Sequence, residues 1–84
     1  MSEIIVGKKP LSHYQGYAYI LIEHCENTDN LIIKGYGRNI SKAMVLADWI
    51  TREFKVYTIK QLKPSRSHNG YIGIEIEMVI SKNA

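Results

Sequence analysis

The chain has 84 residues, 45% of them hydrophobic and 23% charged, with a formal net charge of +3. That is the length of one small domain spanning 1–84, and its apolar content is too high for a disordered chain. The lone Cys25 excludes an internal disulfide, residues Met1 to Gly7 lack the charged lead and long apolar core of a signal peptide, and the longest apolar run, within Tyr17 to Ile22, is far short of a membrane span.

A soluble cytoplasmic protein with no membrane partner is therefore expected. A domain of this size buries only about 60% of its unfolded surface, so pairing with a second copy is expected as well.

Glu3 to Val6 is a short β-branched run and reads as an edge strand. Gly7-Lys8-Lys9-Pro10 breaks it, and Pro10 suits the first position of a helix, where its missing N–H is not needed. Leu11, Tyr14, Ala18, Leu21, Ile22 and Cys25 then recur at helical spacing as one apolar stripe. Tyr17, Tyr19 and Ile20 fall off that stripe and leave apolar surface for a second contact. Residues 26–30, Glu-Asn-Thr-Asp-Asn, are a polar turn cluster.

Leu31-Ile32-Ile33 reads as a buried strand that stops at Lys34-Gly35-Tyr36-Gly37, where two glycines turn the chain into a second helix. That helix is expected from Asn39 or Ser41, either of which can cap it, to about Glu53. Its inner face is expected to be Ile40, Ala43, Met44, Ala47, Ile50 and Phe54, with Val45, Leu46 and Trp49 on other sides. Val56 to Lys63 and Tyr71 to Ile80 are the last two strands, joined by a Pro64–Gly70 connection whose Asn69-Gly70 pair signals a hairpin turn. In the final strand Ile72, Ile74, Ile76, Met78 and Ile80 alternate with Glu75 and Glu77. The order β-α-β-α-β-β implies an α+β two-layer member of the α/β class: a four-stranded mixed sheet with both helices on one face.

Catalytic chemistry finds little support. Gly35-x-Gly37 begins like a dinucleotide fingerprint, but the third glycine would fall at Ile40 and no acidic residue stands about twenty positions on. Cys25 next to His24 continues an apolar stripe and reads as a core thiol. His13, His24 and His68 show no metal-ligand spacing with it. No enzyme, cofactor or metal site is expected.

The basic residues carry the functional signal. Lys8 and Lys9 sit at one strand-to-helix turn, and Lys34, Arg38 and Lys42 surround the other. In a sheet with parallel neighbours such turns meet at one edge, where free backbone N–H groups around Gly37 and Asn39, with cations beside them, suit phosphate oxygens. Lys60, Lys63 and Arg66 make the final hairpin a basic arm that can reach into a groove. The bland alternative is solvated surface charge.

At this point the residues resemble the Alba family of archaeal chromatin proteins. The resemblance rests on Ile5-Val6-Gly7-Lys8-Lys9-Pro10, Tyr14, the run from Ile33 to Ala43 containing Gly37-Arg38-Asn39-Ile40-Ser41-Lys42-Ala43, and Ile74-Glu75-Ile76. It implies a homodimer that binds double-stranded DNA, and also RNA, with little sequence preference, as a chromosome-associated protein. It implies backbone contacts from Lys8, Lys9 and Arg38, acetylation at Lys8, and a contact between neighbouring dimers through Phe54, giving a higher assembly on nucleic acid. The arm between the last strands is shorter than the family's usual arm, which shifts binding toward the body of the domain. The rival reading is a protein-interaction or RNA-binding subunit of a ribonucleoprotein, with Tyr17, Tyr19, Leu46, Trp49 and Phe54 facing the partner.

Overall fold

The computed structural model describes residues 2–24 and 29–80. Strand β1 (Ser2–Val6) is followed by helix α1 (Leu11–His24), strand β2 (Asn30–Tyr36), a single 3-10 turn (Gly37–Asn39), helix α2 (Ile40–Glu53), and strands β3 (Tyr57–Arg66) and β4 (Ile72–Ile80). The sheet order is β1-β2-β4-β3, with β1 parallel to β2 and the other pairs antiparallel. Cys25 and the turn residues 26–28 lie outside the described residues.

The core forms between one sheet face and the two helices. Ile4, Val6, Leu31, Ile33, Ile74, Ile76 and Met78 project from the sheet toward Tyr14 and Ala18 of α1 and Ala43, Leu46, Ala47 and Ile50 of α2. Leu11, Leu21 and Ile22 pack against its margin, so the apolar stripe read from the sequence is the buried face of α1 as far as Ile22. Tyr17, Tyr19 and Ile20 stay exposed, as expected.

Three local readings change. The first is that β2 does not stop at Ile33 but runs on through Gly35, which pairs with Val6 on one side and Ile74 on the other. Its missing Cβ is what the start of α2 needs, since a Cβ there would lie 2.6 Å from the Asn39 carbonyl oxygen and 2.8 Å from the Ala43 Cβ. Gly37, at φ 57°, makes the turn alone. Asn39 takes the position before α2 without a side-chain cap hydrogen bond.

The second change concerns the buried stripe of α2, which is Ala43, Leu46, Ala47 and Ile50. Leu46 is fully buried, whereas Met44, expected inside, is 47% exposed. The apolar residues of this helix cover more than half its circumference, so spacing alone admits stripes rotated by one position. Packing on β2 and β4 selects the one that puts alanines closest to the sheet.

The third change extends β3 past Lys63 to Arg66, with Pro64 in register with Ile74 and a bulge between Ile59 and Gln61. Proline is tolerated there because β3 is an edge strand. The connection is thereby reduced to a tight turn, in which the Gly70 N–H donates to the Ser67 carbonyl at 3.0 Å and Gly70 adopts φ 84°.

Candidate nucleic-acid interface

The turn after β1 and the turn after β2 lie side by side, because Val6 and Gly35 are partners at the end of the parallel pair. Two internal contacts fix the first turn. The Gly7 N–H donates to the Tyr14 hydroxyl at 2.7 Å, and the Lys42 Nζ of α2 donates to the carbonyl oxygens of Gly7 at 2.9 Å and Lys9 at 2.8 Å. Lys42 is thus a clamp between α2 and the Lys8-Lys9 turn. Its ammonium is turned onto protein carbonyls.

The clamped turn, the 3-10 turn and the base of the hairpin enclose an open cleft of about 460 Å³ lined by Lys8, Tyr36, Gly37, Arg38, Asn39 and Tyr71. Lys8, Lys9 and Arg38 are exposed, and none of them forms an ion pair among the described residues. Cations with no carboxylate to hold them are available to an anionic ligand.

The remaining basic positions divide differently. Lys34 points to the sheet face opposite the helices, where its Nζ lies 3.0 Å from Glu3 and 3.8 Å from Glu75. Glu75 in turn meets Lys63 at 3.2 Å, so one row of alternating charge crosses all four strands. Lys60 pairs with Glu77 at 3.8 Å beside it. The hydrogen bond that Lys34 donates to Glu3 holds its ammonium above its ordinary pKa, outweighing the opposing effect of burial. These are surface pairs of small individual worth, but they neutralise this face. Arg66 stands exposed at the hairpin with no ion pair among the described residues.

The ten sequence-predicted positions therefore do not form one site. Lys8, Gly37, Arg38 and Asn39 meet in one cleft with Lys9 next to it. Lys34, Lys60 and Lys63 sit in ion pairs, Lys42 is a clamp, and Arg66 stands apart. Two cleft residues escaped the sequence reading, Tyr36 and Tyr71. Each was signalled by adjacency, one preceding Gly37-Arg38 and the other following Asn69-Gly70. Phe54 follows α2 with its ring 5.9 Å from Trp49 and 6.1 Å from Tyr19, half-buried against the core margin.

The clamp carries its own expected outcome. Lys42→Met should lower stability by about 1–2 kcal/mol, from two partly exposed hydrogen bonds to a charged donor. For a domain this small that is a fall in melting temperature on the order of 4–8 °C per kcal/mol. If Lys42 positions the turn and does not touch phosphate, nucleic-acid affinity falls while the slope of affinity against salt stays unchanged. A flattened slope in the salt series would instead put Lys42 on the ligand.

A family model described as Alba matches residues 2–66. The chain is 33% identical over 54 residues to a protein of Nanoarchaeum equitans named "DNA/RNA-binding protein Alba". That match covers 64% of this chain and 58% of the relative, less than two thirds of its length. Among solved structures, Alba from Thermoplasma volcanium superposes with a TM-score of 0.65 at 28% identity, over 95% of this chain and 99% of that one. ALBA1 from Trypanosoma brucei superposes with a TM-score of 0.75 at 16% identity, over 96% of this chain and 71% of that one, a likeness of fold.

Proposed function

This chain belongs to the Alba family, and on that premise we propose that it is a non-enzymatic protein that binds double-stranded DNA, and RNA, through the backbone. The observation that carries the reading is the cleft in which Lys8 and Arg38, without an ion pair among the described residues, meet between two strand-to-helix turns. The name of the Nanoarchaeum relative supports the same ligand class. Lys8, Lys9 and Arg38 contact phosphates, and Arg66 reaches the backbone from the hairpin. Because such contacts carry no sequence information, discrimination between sequences is small. Acetylation of Lys8 removes one of these cations and weakens binding. The biological role is to coat and organise the chromosome in the cytoplasm.

The working form is a homodimer. Ile59 and Leu62 are 44% and 51% exposed although they pair with the buried Met78 and Ile76, so they point to the helix side of the sheet beyond the helices' cover. Met44 and Val45, also exposed, belong to α2, the helix that packs next to β3. A second copy placed there buries this apolar strip, and Leu62→Glu should turn a sedimenting dimer into a monomer. An unchanged sedimentation coefficient would remove β3 from the interface.

Binding is tested by fluorescence anisotropy of random-sequence DNA and RNA duplexes across a salt series. Steep salt dependence with little sequence preference is expected, and no binding at low salt would overturn the reading.

A further inference from the structure

Tyr36 and Tyr71 add something that phosphate binding does not require. The Tyr36 ring lies across the sheet at Gly73: a Cβ on Gly73 would come within 2.4 Å of the Tyr36 Cδ1. Its hydroxyl is 3.4 Å from the Ser65 Oγ on β3. The ring is therefore seated by a missing side chain below it and tethered at its tip, and it forms a fixed wall of the cleft. Tyr71 forms part of the lining at the base of the hairpin. Its backbone is pinned twice, by its N–H to the Ser67 Oγ at 3.1 Å and by the Ser67 N–H to its carbonyl at 3.0 Å, while the residue is 63% exposed. Lys8, Arg38 and Gly37 line the same cleft as the two tyrosines.

A paired duplex offers these rings no free base face, since its bases are already stacked on one another and it presents phosphates outward. An unpaired nucleotide presents both a phosphate and a free π face. The cleft, at about 460 Å³, is within the roughly 300–1,000 Å³ range of small-molecule sites. An exposed aromatic on a rigid backbone beside unpaired cations is the arrangement by which proteins stack splayed bases without reading their identity.

We infer that the Lys8–Arg38–Tyr36–Tyr71 cleft is a stacking subsite for an unpaired nucleotide, giving the protein a preference for single-stranded segments over continuous duplex. This rests on the proposed binding of nucleic acid at the same cleft. Arg38 and Lys8 hold the phosphate, Tyr71 covers the base, and Tyr36 supports it from the sheet side.

The test uses the full chain with single strands of about 12 nucleotides carrying a fluorescent purine analogue, as deoxy and ribo versions, beside the matching duplexes. The wild-type protein is expected to bind the single strands more tightly and to quench the analogue on binding. Tyr71→Ala should lower single-strand affinity about tenfold, abolish the quench, and leave duplex affinity within about twofold. Tyr71→Trp should restore both. Arg38→Ala should weaken single strands and duplexes alike.

Equal losses for both ligands in Tyr71→Ala, or a changed sedimentation coefficient, would overturn the subsite, since Tyr71 would then be a general or an interface contact. An effect confined to RNA would overturn stacking in favour of a 2′-hydroxyl contact. Duplex binding that persists with no effect at Tyr71 sinks only this inference. Absence of binding to every ligand sinks the proposed function itself.

Discussion

Alanine at both Lys8 and Arg38 is expected to lower affinity for a random-sequence duplex about a hundredfold at low salt. It should also flatten the plot of log affinity against log salt by about two units. The first figure follows from two hydrogen bonds to charged groups, each worth about 1.5 kcal/mol at the exposed end of the range. The second follows from the release of roughly one counterion per neutralised phosphate. Neither side chain holds an ion pair among the described residues, so their removal should not disturb the fold. Lys34→Ala is the control. Its ammonium is engaged by Glu3 and Glu75 on the opposite sheet face, and its loss should change affinity less than threefold or so. Equal losses in the control and the double variant would mean that net charge, and not the cleft, governs binding.

Gly35→Val should damage the fold severely. The new Cβ would meet the Asn39 carbonyl oxygen at 2.6 Å and the Ala43 Cβ at 2.8 Å. The first of these is backbone and cannot rotate away. The strand and the start of α2 must move apart, an overpacking cost of about 1–3 kcal/mol or more. That is a large share of the stability of a domain this small. The displacement also falls on the 3-10 turn that carries Arg38, so binding should fall even in the fraction that remains folded. Thermal denaturation with anisotropy at low temperature separates the two effects. A melting temperature within about 2 °C of wild type would mean that the helix–strand approach at Gly35 is not tight.

The sequence made the element order legible because its apolar periods switch cleanly. Ile74, Ile76 and Met78 alternate while Leu11, Tyr14 and Ala18 recur at helical spacing, and each set is buried or packed at the core as that spacing requires. What stayed hidden depends on neighbours remote in the chain. Gly35 looked like a turn residue because glycine favours both turns and close approaches. Only the position of Ala43 against it shows which use it has. Lys42 looked like a ligand contact because nothing in its surroundings in sequence reveals the carbonyls of Gly7 and Lys9. Lys34 and Lys63 lost their apparent freedom through Glu75, which the strand order brings between them. Tyr36 and Tyr71 are 35 positions apart, and only the antiparallel pairing of β2 with β4 brings them to one cleft.

The two outer strands of the sheet have a bearing on crowding. On one side β1 offers only five residues. On the other, β3 presents Pro64, which has no N–H, and a bulge at the exposed Lys60 that interrupts its ladder. Neither edge offers a long, flat row of unsatisfied donors and acceptors for a neighbouring chain to continue. A neighbouring copy therefore finds no template for strand addition at either edge. Cross-β growth into fibres is thereby resisted by the backbone itself.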